Sequence, residues 1–355
     1  MEDMARGSSE KTGPADDSRR GSTTRARVTS ADVAREAGLS RATVSYVLNN
    51  TPNQKIPEST RQRVLDAAGR LQYAPSAAAR TLRTGRSDVV LCLLPSWPIG
   101  ESVGSVLEQL SAALAERGMT FVVHPRPPTG RDVSETWRTI TPAAVLAFEE
   151  FTDEEVQAMR AAGIAETVVL MGPPRGPRLH TLELPEQRVG RIQAEHLVVQ
   201  GHRRLGYAFP DDERVRTFAE RRLEGVRYAC AELGVDEPDV QTLRLDTDSA
   251  AAAVKVWRGR TEPVTGVCAY NDEMAAAVLA GMRRHGLRAP GDLAVVGVDD
   301  IATAPLLDPP LTTVTRDMGA MAGYLAARTI AAVEGTPEPT PLGSDFIDLV
   351  VRESA

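Results

Sequence analysis

Residues 28–50, VTSADVAREAGLSRATVSYVLNN, constrain the fold of this 355-residue chain more than any other stretch. Thr29 can cap a first helix with Asp32 three residues on, and Val33 and Ala34 supply its apolar side. Gly38 ends that helix and Leu39 plugs the turn. Ser40 then caps a second helix, with Val44 and Leu48 expected inward and Arg41, Ala42, Ser45 and Tyr46 outward. A helix-turn-helix of this kind presents its second helix to the major groove of DNA, where the outward side chains meet base edges.

Charge placement agrees with that reading, although the net charge of −7 taken alone argues against a nucleic-acid binder. Residues 25–87 carry eleven Arg and Lys against four Asp and Glu, while residues 1–24 carry four against five. A basic head on an acidic body favours phosphate contact through the head alone. The first 24 residues are polar, small and mixed in charge, which is the composition of a disordered tail. There is no apolar run of membrane-spanning length and no charged-then-apolar leader, so the expectation is a chain that neither spans a membrane nor is exported. Cys92, Cys230 and Cys268 stand singly among apolar neighbours and read as buried free thiols of a reducing compartment. No spacing suggests a metal site.

Beyond residues 51–57, a Pro-bounded loop, a third helix runs from Ser59 and places Val64, Ala68 and Leu71 on one face, with Arg61 and Arg63 outside it. Pro75 and Gly85 bracket a short Ala-rich segment that cannot hold a helix alone in water. From Asp88 the pattern changes to alternating strand and helix. Apolar runs at 89–94, 120–124, 143–148, 167–172, 204–209, 266–270 and 293–300 read as strands. Helices are expected beyond the first strand to Gly118 and at 153–162, 189–200, 220–233, 249–257 and 272–285. That rhythm gives a doubly wound α/β body large enough for two lobes, with a ligand cleft at the carboxyl ends of the strands.

The pattern D-V-A-x-x-A-G-L-S-x-x-T-V-S-x-V-L-N closely resembles the DNA-binding head of the lactose-repressor (LacI/GalR) family of transcription regulators. It is matched at Asp32, Val33, Ala34, Ala37, Gly38, Leu39, Ser40, Thr43, Val44, Ser45, Val47, Leu48 and Asn49. The resemblance continues through GHRRLGY (201–207), the R-x-x-G of 222–225, YNDEMAAAVL (270–279), VVGVDDI (295–301), PPLTTV (309–314) and LVVRES (349–354). It implies an α+β multidomain chain, a three-helix helix-turn-helix head followed by a two-lobed, periplasmic-binding-protein-like α/β effector domain. The expected divisions are a tail (1–27), the head (28–74), a hinge helix or linker (75–87) and an effector-binding and dimerisation domain (88–355).

By the same resemblance, DNA contacts fall to Thr29, Ser40, Arg41, Ala42, Thr43, Ser45, Tyr46 and Asn49, and in the hinge to Ser76, Ala79, Arg80 and Leu82. Leu82 would wedge into the minor groove. Arg222, Asn271 and Asp299 are the expected effector contacts, and Trp97 is a further candidate for the cleft. Each has a structural alternative: Asn271 can cap the next helix, Asp299 can stabilise a turn, Arg222 can pair with Glu220 or Glu224, and Trp97 can be packing. The expected partners are a pseudo-palindromic double-stranded DNA operator, a small-molecule effector such as a sugar, and a second copy of the chain in a homodimer. The expected place is the cytoplasm, and no cofactor is implied. Pro185 stands where sugar-sensing relatives often have Asp, and residues 172–180 offer no carboxylate, so the first lobe does not specify the effector.

Two other classes were weighed. Gly100-Glu-Ser-Val-Gly104 matches G-x-S-x-G, a hydrolase nucleophile elbow with Ser102 as nucleophile, but residues 96–99 separate it from the strand that such an elbow must follow. A solute-binding protein would share the body and have no use for residues 28–87.

Overall fold

The computed structural model describes residues 28–49, 51, 54–74, 87–126, 133–170, 181–343 and 346–355. The proposed tail, the hinge segment with Ser76, Ala79, Arg80 and Leu82, and the loop 172–180 lie outside these residues. Two compact units are present, Met1–Arg83 and Thr84–Ala355.

In the first unit, α1 (Ser30–Ala37), α2 (Arg41–Leu48) and α3 (Glu58–Arg70) enclose a small core of Val33, Ala34, Ala37, Val44, Val47, Val64, Ala67 and Ala68. Gly38 closes α1 with φ +64°, a left-handed conformation that costs glycine nothing. One expectation is corrected. Val47, not Leu48, takes the second buried position of α2, because the helix meets its neighbours along an i, i+3 row and Leu48 is left half-covered.

In the second unit, the first lobe holds a parallel sheet in the order β2-β1-β3-β4-β5. Its strands are β1 (Val89–Leu94), β2 (Thr120–Pro125), β3 (Ala144–Ala147), β4 (Ala165–Leu170) and β5 (Thr181–Glu183). They alternate with α4 (Glu101–Ala115), α5 (Val133–Ile140) and α6 (Asp153–Ala161). The second lobe orders its strands β11-β10-β9-β8-β6-β7, with only β11 antiparallel. These are β6 (Leu205–Pro210), β7 (Asp239–Leu243), β8 (Gly266–Ala269), β9 (Ala294–Val298), β10 (Thr312–Arg316) and β11 (Ile347–Val350). Around them lie α7 (Glu186–Val199), α8 (Arg216–Glu232), α9 (Thr247–Arg258) and α10 (Asp272–Arg284).

The remaining helix, α11 (Met318–Glu334), packs not on this lobe but on the core of the first, through Met321, Ala322, Leu325 and Ala326. The chain therefore crosses between lobes three times: between β5 and α7, at Asp317 between β10 and α11, and between α11 and β11. In both lobes the chain reverses its direction of travel across the sheet, at β1/β3 and at β6/β8, and the carboxyl ends there leave a crevice.

Helices α7 and α8 meet at two glycines. A Cβ on Gly190 would lie 1.9 Å from the Arg222 carbonyl oxygen, and one on Gly225 would lie 1.8 Å from the Gln187 carbonyl oxygen. Backbone cannot yield as a side chain can, so a methyl group there must push the helices apart. Gly225→Ala should lower unfolding free energy by about 3 kcal/mol in a denaturant melt. Gly104→Ala, with nothing within 4 Å of the added carbon, is the control and should be neutral or stabilising by up to ~1 kcal/mol.

Candidate functional site

The head presents one helix face without internal duties. Thr29 and Asp32 form a reciprocal cap, the Asp32 amide reaching Thr29 Oγ1 at 3.4 Å while the Thr29 amide donates to Asp32 Oδ2 at 2.9 Å. Ser40 Oγ accepts from the Thr43 amide at 3.1 Å and lies 2.9 Å from Thr43 Oγ1. Asn49 Nδ2 turns back to the Ser45 carbonyl at 2.6 Å and to Ser45 Oγ at 3.2 Å. Thr29, Ser40, Thr43, Ser45 and Asn49 therefore have local partners that fix the helix ends. Arg41, Ala42 and Tyr46 are exposed, and Arg41 has no ion pair among the described residues. These three are the groups free to read a base edge.

In the second unit a cavity of about 580 Å3 lies between the lobes at the carboxyl ends of the strands. Trp97, Arg222, Asn271 and Asp299 all line it, so residues separated by 202 positions in sequence come to one place. Trp97 packs its ring 5.0 Å from Phe148 and 4.9 Å from Phe218, joining both lobes across an aromatic cluster. Its packing role and its place in the cavity wall coexist.

Arg222 is 2 % exposed and pairs with neither Glu220 nor Glu224. Its Nε donates to Glu186 Oε2 at 2.6 Å and its Nη1 to the Tyr270 carbonyl at 2.6 Å. The guanidinium carbon stands 4.8 Å from the Tyr270 ring centroid, and Nη2 has no hydrogen-bond partner among the described residues. The other oxygen of Glu186 accepts from Arg316 Nη1 at 2.7 Å, and Arg316 Nη2 donates to Asp299 Oδ1 at 2.6 Å. Burial alone would raise the Glu186 pKa, but the two guanidiniums outweigh it and hold the carboxyl below its ordinary range. Two cations and two anions thus form one closed network, leaving Arg222 Nη2 as a donor and Asp299 Oδ2 as an acceptor.

Asn271 caps α10, its Oδ1 accepting from the Met274 amide at 3.0 Å and its Nδ2 donating to Glu273 at 3.0 Å. Asp299 sits at φ +108° and Asp300 at φ +49°, a sharp turn at the end of β9 that aims Asp299 back at Arg316. Sequence reasoning missed Glu186 and Arg316. Glu186 follows Pro185 at the first crossing, and Arg316 ends β10 at the second; the signal available was a charged residue flanking an apolar strand or helix, which is too common to single them out.

The nucleophile-elbow reading of 100–104 is overturned. Gly100 is the N-cap of α4 and Ser102 lies in its first turn, so no sharp strand-to-helix turn exposes the hydroxyl, and none of the described histidines lines the cavity. All three cysteines are buried free thiols, with burial pushing Cys92 up to about 12.

Comparison with known proteins decides the family. Residues 29–76 match the model for bacterial regulatory proteins of the lacI family, and residues 194–355 match a periplasmic binding protein-like domain. The HTH-type transcriptional regulator CelR of Thermobifida fusca is 33% identical over 356 residues, covering 93% of this chain and 99% of its own. The chain belongs to the LacI family. This LacI-family chain is also similar to the transcriptional regulator MalR of Streptomyces coelicolor, 32% identical over 91% of this chain and 95% of that protein. A CelR–cellobiose complex has a TM-score of 0.62 at 28% identity, over 93% of this chain and 100% of the other. The lac repressor dimer bound to operator and an anti-inducer shares the fold, with a TM-score of 0.74 at 21% identity over 92% and 99% of the two chains. The chain is therefore a DNA-binding transcriptional regulator of this family. No helix among the described residues is long and apolar enough to cross a membrane.

Asp272, beneath this site, is buried, and burial raises its pKa to about 7 against the hydrogen bonds from Thr313 Oγ1 (2.5 Å) and the Ile301 amide (2.9 Å). A raised carboxyl pKa means that the folded state keeps its proton where the unfolded chain has lost it. Its contribution to stability therefore falls as pH rises from about 4 towards 7 and is level above. Asp272→Asn keeps both hydrogen bonds, so melts across this range should show a shallower pH dependence for the variant than for the parent.

Proposed function

We propose that this regulator is a repressor that binds a pseudo-palindromic operator as a homodimer in the cytoplasm and is released or recruited by a small molecule, a sugar or similar metabolite, held between the lobes. It acts by binding and carries no catalytic centre. Arg41, Ala42 and Tyr46 read base edges, and the segment 75–87 with Ser76, Ala79, Arg80 and Leu82 serves as the hinge on DNA. Trp97, Arg222, Asn271 and Asp299 face the effector.

One observation carries the switch. Glu186 and Arg316, paired at 2.7 Å, stand at two of the crossings between lobes, and each also holds one ligand-facing group, Arg222 or Asp299. A ligand that engages those groups in one lobe arrangement better than in another shifts the equilibrium between them, with coupling of about 1–3 kcal/mol in ordinary cases. The complexes of CelR with cellobiose and of the lac repressor with an anti-inducer support a ligand in this family's cleft.

The DNA half is tested with Arg41→Ala. Losing a bidentate contact to guanine costs about 1–3 kcal/mol of discrimination, so specific affinity should fall roughly tenfold or more while binding to random DNA stays within about twofold. Equal losses on both would remove Arg41 from base reading. For the effector half, Arg222→Ala is a poor probe, because it strands part of the buried Glu186 charge. Asp299→Asn preserves the shape and should keep operator affinity while weakening the response to effector at least tenfold in a gel-shift titration. An unchanged response would place the ligand away from Asp299.

A further inference from the structure

The cavity has two chemically different sides. On the first-lobe side the wall is Val103, Val106 and Leu107 of α4, the rings of Trp97 and Phe148, and Met321 of α11. Among the described residues the only carboxylate or hydroxyl on this side comes from Glu101 and Ser102 in the first turn of α4, and Glu101 is already taken by the Ala302 amide of the opposite lobe at 2.8 Å. The polar groups with spare capacity, Arg222 Nη2 and Asp299 Oδ2, stand on the second-lobe side.

This asymmetry constrains what can be held. A molecule bearing hydroxyls on all sides would bury several against carbon with no partner, and a buried hydroxyl without a hydrogen bond opposes binding. A ligand with an apolar body gains from the same wall by leaving water. The Glu186, Arg222, Arg316 and Asp299 charges sum to zero, so the polar end offers a donor and an acceptor rather than a net charge.

We infer that the effector is an uncharged amphipathic molecule, with a hydroxylated head on Arg222 and Asp299 and an alkyl or aryl body against the α4 wall. A glycoside with an apolar aglycone has this form. The inference rests on the effector reading above and specifies its ligand class.

The test uses the full chain and a series of 1,2-alkanediols from butane to octane, titrated by isothermal calorimetry. Affinity should rise about fourfold per added methylene, with one site per chain. Leu107→Asn, and the milder Val103→Ser should the first not fold, must flatten that dependence while operator binding persists. Equal binding of butanediol and octanediol, no saturable binding, or a chain-length dependence that survives in the variants would overturn the inference. Chain-length-dependent binding that leaves operator affinity unchanged would uphold the ligand class and sink the effector reading instead.

Discussion

Glu186 is a carboxylate that is 1 % exposed, and an isolated charge in that position could not persist ionised. It persists because Arg222 and Arg316 approach it from two different elements, and the rest of the cleft follows from their convergence. Arg222 can reach it only because Gly190 and Gly225 let α7 and α8 lie backbone against backbone. Arg316 can reach it only because β10 ends at the second crossing between lobes. The arrangement holds the two cations still while leaving one donor of Arg222 directed at the cavity. A buried ion pair of this kind adds little net stability relative to apolar packing; its contribution is to fix geometry at a hinge.

Gln193, one turn further along α7 from Gly190, extends the same logic. Its side-chain amide lies 2.8 Å from the Ala269 carbonyl and 3.0 Å from that of Val296, tying the helix to the ends of β8 and β9. Asn271 and Asp299 leave those two strands, so the helix that carries Glu186 also sets where the ligand-facing groups stand. Asp272 performs the matching task from α10, holding Thr313 and the turn at Ile301 through a carboxyl that prefers its proton.

The division of labour in the head is simpler. Residues shared with the family pattern, Thr29, Ser40, Thr43 and Asn49, spend their polar atoms on helix ends, while Arg41, Ala42 and Tyr46 remain open. The pattern thus encodes the scaffold, and the variable outward positions hold the information about DNA sequence.

The sequence by itself determined the head, because capping residues, a left-handed glycine and short-range apolar spacing act within a few positions. It also determined most strands of the body, whose continuous apolar runs mark burial on both faces. It did not reveal β5, β7, β10 or β11 as strands, nor α5, and it gave no hint that α11 packs on the first lobe after the second has formed. The site shows the same split: Arg222, Asn271 and Asp299 were legible from motifs, whereas their neighbours Glu186 and Arg316, 130 positions apart, were not. Local signals carry no information about which distant charges meet in a low-dielectric interior. Only the tertiary structure, through the glycine contact of α7 with α8 and the crossings between lobes, decided that.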